Sequence, residues 1–130
     1  MRRQLVDAGT VWGPTVGYSR AVRVGNTIHV AGTTGLDAAG KPAGGGMYGQ
    51  AKQALANIVA ALAKLGARPE DVVRTRIFVT DISQWEEVGR AHGEIFGTIR
   101  PAATMVEVTR LIDPDLVVEI EADAILLEGR

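Results

Sequence analysis

The chain has 130 residues, of which 46% are hydrophobic and 22% charged, with no cysteine and a formal net charge of −1. That balance describes one globular α+β-sized domain over residues 1–130 rather than a disordered chain. It excludes disulfides and thiolate nucleophiles, and it offers no basic surface for nucleic acid or an anionic membrane.

In chain order, Met1-Arg2-Arg3-Gln4 is followed by no apolar stretch of the kind that makes a secretory leader. No apolar run reaches the ~20 residues that would span a bilayer. A cytoplasmic location is therefore expected, and it fits the absence of cysteine. Val22-Arg23-Val24 and Ile28-His29-Val30-Ala31 are β-type runs, and Gly25-Asn26-Thr27 between them signals a hairpin. Gly32 to Gly46 reads as a glycine-rich loop. Its Gly44-Gly45-Gly46 lacks the Lys-Ser/Thr of a phosphate cradle and is expected to be a turn before a helix.

Over residues 48–65, Ala51, Ala54, Leu55, Ile58, Ala61, Leu62 and Leu65 recur at helical spacing, and Gly66 supplies the stop. Val72 to Thr80 alternates as a strand, with Arg74, Arg76 and Phe78 on one face and Val73, Thr75, Ile77 and Val79 on the other. Ser83 and Glu86 have the spacing of a capping box, which predicts a second helix from there to about Phe96. Ala103–Thr109 and Val117–Leu127 are the last strands, with a turn at Asp113-Pro114-Asp115. The order predicts an α+β, two-layer fold: a mixed sheet of about six strands with two helices on one face. The second sheet face, expected to carry Phe78, Met105 and Val117 among polar residues, is then wet or buried against another chain.

On the last strand Val117, Glu119, Glu121 and Asp123 fall on one face and Val118, Ile120, Ala122 and Ala124 on the other. The pattern alone allows two readings of Glu119: a member of a carboxylate ladder paired with Arg74 and Arg76, or a general base. His92 on the second helix is either a general acid or base or a solvated helix-face residue. His29, between Ile28 and Val30, is expected to be packed. Two distant histidines and no cysteine give no metal site, and no cofactor is expected. Trp12 and Trp85 read as core or interface anchors.

The runs Arg100-Pro101-Ala102-Ala103-Thr104-Met105-Val106-Glu107-Val108 and Val117-Val118-Glu119-Ile120-Glu121-Ala122 carry the most specific signal. With Tyr18, Gly32, Gln53-Ala54-Leu55-Ala56-Asn57, Asp71-Val72-Val73-Arg74-Thr75 and Val79-Thr80-Asp81, they resemble the reactive-intermediate deaminase (Rid, or YjgF-type) family. The resemblance implies a chorismate-mutase-like fold and a homotrimer with a cleft between each pair of subunits. In the family's best-known branch it implies hydrolysis of 2-enamino and 2-imino acids to 2-oxo acids and ammonia. There an arginine after Pro-Ala clamps the substrate carboxylate, and a glutamate positions or activates water. Here the glutamate is kept as Glu119 and the clamp is Ala103, which cannot offer a planar fork to a carboxylate.

The family's strand-three serine is Ala31, its second-helix asparagine is Gly89, a nearby aromatic is His92, and the serine after the clamp is Thr104. The resemblance thus points to an arginine-less branch. Its candidate site is Glu119 as catalytic group, with Tyr18, Thr33, Ala103, Thr104, His92 and Arg100 toward a small-molecule ligand. Arg100 is a candidate displaced anchor, and Arg110 a second one. Two functions follow: an imine or enamine hydrolase with weak activity on 2-imino acids, or a non-catalytic trimer that binds a small ligand or partner. Ribonuclease activity, sometimes attributed to the family, is opposed by the net charge and the lack of a basic patch.

Overall fold

A computed structural model describes residues 2–127. The elements are β1 (Arg3–Asp7), α1 (Gly13–Val16), β2 (Ser19–Val24), β3 (Thr27–Thr34), α2 (Gly46–Lys64), β4 (Val72–Val79), α3 (Trp85–Phe96), β5 (Ala102–Glu107) and β6 (Val118–Ile125). The six strands form one mixed sheet in the order β1-β2-β3-β6-β4-β5. Every pairing is antiparallel except β4 with β5, whose parallel pairing requires the α3 crossover between them. The expected α+β class and the two long helices on one face are both present. The short α1, which opens with Pro14 in its first turn and closes on left-handed Gly17, is a third helix that periodicity did not reveal.

The core lies between the sheet and the long helices. On α2 the residues Ala51, Ala54, Leu55, Ile58, Ala61 and Leu62 are buried, as their spacing predicts. They meet Ile28 and Val30 of β3, Ile77 and Val79 of β4, and Val118, Ile120, Ala122 and Ala124 of β6. Each large side chain so buried contributes about 1.5–3 kcal/mol. Helix α2 stops where Gly66 turns left-handed (φ 85°). There the Ala67 N–H donates to Leu62 O (2.9 Å), and Arg23 donates to the otherwise unmet carbonyl of Leu65 (2.7 Å).

Four local expectations are corrected. Strand β3 continues past Ala31 to Thr34, because Gly32 marks a bulge rather than a strand end. Helix α3 is preceded by a 3₁₀ turn, Ile82–Gln84, which is capped by Asp81; Ser83 lies inside that turn, and the N-cap of α3 is Gln84 rather than Ser83. The Asp81 carboxylate accepts from the Ser83 N–H (3.1 Å), the Ser83 hydroxyl (2.6 Å) and Gln84 (3.0 Å). A charged acceptor outbids a hydroxyl, and the Ser83 hydroxyl bond is the main cause holding the Asp81 pKa below its ordinary value. Met105 registers with buried Ile77 and packs, with Val117, against the core, so the outer sheet face keeps Phe78 without them. His29 is exposed on that outer face and bonds Asp123 at 2.8 Å.

Candidate functional site

Between Val30↔Ala122 and Thr33↔Ile120, β3 carries one residue more than β6, which makes a bulge at Ala31-Gly32. The bulge turns Thr33 inward, where it is 2% exposed and donates its hydroxyl proton to Ala31 O (2.7 Å). It also frees the Gly32 carbonyl. Arg20, on the outer face of β2, donates through Nη1 to that carbonyl (2.8 Å) and to Thr33 Oγ1 (3.0 Å). Through Nη2 it donates to the Tyr18 hydroxyl (3.2 Å) and to Ala8 O (3.4 Å). The guanidinium carbon lies 5.5 Å from the Tyr18 ring centroid. Tyr18 OH is 2.7 Å from Thr10 Oγ1. Because the phenol accepts from Arg20, its own proton is available to Thr10 or to a ligand.

Glu119 projects from β6 over Gly32. A side chain at Gly32 would collide with it, since a Cβ there would lie 2.9 Å from the Glu119 carboxyl carbon. Glu119, Tyr18, Arg20 and Gly32 line a cavity of about 230 Å³ whose other walls include Trp12, Val16 and Ile112. Burial raises the Glu119 pKa above its ordinary 4.5. The charge of Glu121 adds to the rise, and that of Arg20 opposes it. Glu119 takes no part in the carboxylate ladder. Arg76 pairs with Glu121 (3.3 Å) and Asp123 (3.0 Å), and His29 completes that network. The cross-strand neighbour of Glu119 on β4 is Phe78, so its carboxyl makes no ion pair among the described residues.

Of the residues singled out in the sequence, the structure brings Tyr18 and Glu119 together. Thr33 stands behind them with its hydroxyl committed to Ala31 and Arg20, so it supports the wall rather than facing the cavity. Ala103, Thr104 and His92 lie elsewhere. Strand β4 separates β5 from β6, so the two strands are not neighbours. Ala103 registers with Thr75 and therefore points to the helix side of the sheet, opposite to Glu119; Thr104 registers with Arg76 on the outer side. His92 is also on the helix side, with Nε2 2.9 Å from Thr75 Oγ1 and its ring 4.7 Å from that of Phe96. Burial lowers its pKa. Arg100 and Arg110 are exposed, and Arg100 has left-handed backbone (φ 58°) rather than the extended form expected before Pro101.

Sequence pattern does not reach Arg20, because the β-type run begins at Val22 whereas the strand begins at Ser19. Its signal was present: two residues after Tyr18, it falls on the same strand face. Trp12 lines the cavity, where the sequence suggested a core or interface anchor.

The molecule is a small α+β domain with an acid and a guanidinium sharing an apolar-walled cavity at a bulge in its sheet. The Endoribonuclease L-PSP family pattern matches residues 10–126. A solved Mycobacterium tuberculosis structure from the YjgF/YER057c/UK114 family superposes with a TM-score of 0.88 at 52% identity, covering 96% of this chain and 100% of that one. The human protein named 2-iminobutanoate/2-iminopropanoate deaminase is 32% identical over 128 residues, 98% of this chain and 91% of its own. A RutC family protein of Pyrococcus abyssi is 37% identical over 108 residues, 82% of this chain and 84% of its own. The chain belongs to the Endoribonuclease L-PSP, or Rid/YjgF, family.

Proposed function

We propose that the chain is a Rid-type hydrolase of a small imine, enamine or related compound, from an arginine-less branch, with Glu119 as its acid–base group. The observation that carries this reading is the half-buried carboxyl of Glu119, held apart from the ladder in a cavity beside Tyr18. Its relation to a human protein named as a 2-iminobutanoate/2-iminopropanoate deaminase supports the reaction class. Water adds to the carbon of the C=N bond, and the resulting carbinolamine expels ammonia to leave a C=O group. A carboxyl whose pKa is raised by burial serves both halves: as carboxylate it takes a proton from water, and as acid it returns one to the leaving nitrogen. The Tyr18 hydroxyl, free to donate, orients the water or the nitrogen.

The cleft is proposed to be shared between subunits of a homotrimer. In one chain Ala103 and Glu119 lie on opposite sides of the sheet, so a cleft containing both requires a second copy. Light scattering should give about three times the chain mass of 13.7 kDa; a particle of the monomer mass would remove the shared cleft.

With alanine at the clamp position, an anchoring interaction of roughly 1.5–3 kcal/mol is lost, tenfold to over a hundredfold in affinity. Ammonia release from freshly generated 2-iminobutyrate should therefore be slow beside that of arginine-bearing relatives. Strong acceleration at low micromolar protein would overturn the clamp argument. No turnover on any imine or enamine would leave the scaffold as a non-catalytic binding trimer.

A further inference from the structure

We infer that Arg20 is the anion-binding residue of the Glu119 cavity, and that it holds the carboxylate of a small monocarboxylic ligand with an apolar tail. This rests on the reading that the cavity is the functional site.

The charge of Arg20 is partly buried and makes no ion pair among the described residues, although Glu119 in the same cavity feels it. Its hydrogen-bond partners are Gly32 O, Thr33 Oγ1, Tyr18 OH and Ala8 O, all neutral. No carboxylate lies within ion-pair distance of it among the described residues, whereas Arg76 holds two and Arg90 one. The four Nη hydrogens of Arg20 are committed to these neutral acceptors, so an arriving carboxylate meets its Nε–H and a positive charge that no contacting group neutralises. Arg20 is also preorganised: the bulge carbonyl, the Thr33 hydroxyl and the Tyr18 phenol fix the guanidinium, so little rotamer freedom remains to be lost on binding. Trp12, Val16 and Ile112 supply apolar wall for a short aliphatic tail.

Glu119 faces the same cavity, and its own negative charge opposes a second one there. Glu121 on its own strand adds to that opposition, and Arg20 is the opposing cation. From the other neighbouring elements Tyr18 contributes a phenol, while Gly32, Thr34 and Phe78 contribute no titrating group. A bound carboxylate thus favours the protonated form of Glu119, and anion binding takes up a proton.

The test uses calorimetric titration of the full chain with butyrate and with the neutral butyramide, at about pH 5.5 and about pH 8, on either side of ordinary histidine titration. Butyrate should bind more tightly than butyramide, and more tightly at the lower pH. Arg20→Gln should lose on the order of tenfold or more for butyrate alone, and Arg20→Lys should keep part of it. Equal affinity for the two probes on the unaltered protein, or no butyrate binding at all, overturns the inference even if Arg20→Gln fails to fold. So does a folded Arg20→Gln that binds butyrate like its parent.

Arg20 also borders a groove of about 420 Å³ with Asp37, Asn57 and Lys64. If Lys64→Gln weakens butyrate binding while Glu119→Gln leaves its pH dependence intact, the anion sits there and the inference fails. These are binding measurements. Arg20-dependent binding without imine turnover would sink the hydrolase reading and leave the anion site standing.

Discussion

Replacing Glu119 with glutamine should reduce imine or enamine hydrolysis on the order of a hundredfold or more, and in the same protein should raise thermal stability near pH 8. The two effects have one cause. Burial holds the folded-state pKa of Glu119 above 4.5. Below that value the carboxyl is protonated both folded and unfolded, and contributes no difference. As pH rises through the folded pKa, the native state must ionise a half-buried group that the unfolded chain ionises in water, so native stability falls. Glutamine does not titrate, so the gain should be absent in acid and complete above the folded pKa. His92 gives the opposite slope: its pKa is lowered from 6.5, so its stabilising contribution is lost as pH falls below that value. Subtracting parent from variant melting curves across pH cancels His92 and isolates Glu119. A variant that is less stable at every pH would mark Glu119 as a structural carboxylate.

Ala103→Arg should tighten binding of 2-oxobutyrate by roughly 1.5–3 kcal/mol, one charge-assisted bidentate pair, if copies of the chain assemble as proposed, and not on a single chain. Ala103 is exposed on the edge strand β5 and points to the helix side. A guanidinium there reaches a Glu119 cavity only where another copy presents it. Adding Glu119→Gln should abolish any turnover gained while sparing the binding. A trimeric arginine variant that binds 2-oxobutyrate no better than its parent would remove Ala103 from the site.

The fold was legible where one periodicity ruled a segment. The stripe of α2, the alternation of β4 from Arg74 to Val79 and that of β6 from Val118 to Ala124 appear as written in the sequence, because each buries one face against a continuous core. At the start of β4 a register shift instead buries Val72 and exposes Val73, which the pattern places on the face of Thr75. It was less legible at the N-terminal side of the site. β1 is a short edge strand, and α1 is four residues long, too short for a helical period to show. The family motifs led to Glu119 and Tyr18. They did not lead to Arg20, whose importance comes from the acceptors around it: a carbonyl freed by a bulge and a hydroxyl turned inward by it. Sequence spacing records neither. Nor does it show that Ala103 and Glu119, both on late strands, face away from each other, because that depends on β4 inserting between them.

The bulge also gives the site a form of information separate from side-chain identity. Beyond it the pairing of Thr33 with Ile120 and Thr34 with Glu119 would be unchanged in a chain one residue shorter at Gly32. The ladder would simply become regular. Removing that residue would leave hydrophobic alternation and helix faces as they are, yet take away the carbonyl that grips Arg20 and the bare Cα under Glu119. Here the length of one strand is itself a variable of the candidate site: a single-codon insertion or deletion would make or remove its cradle with Glu119, Tyr18 and Arg20 all still in the sequence.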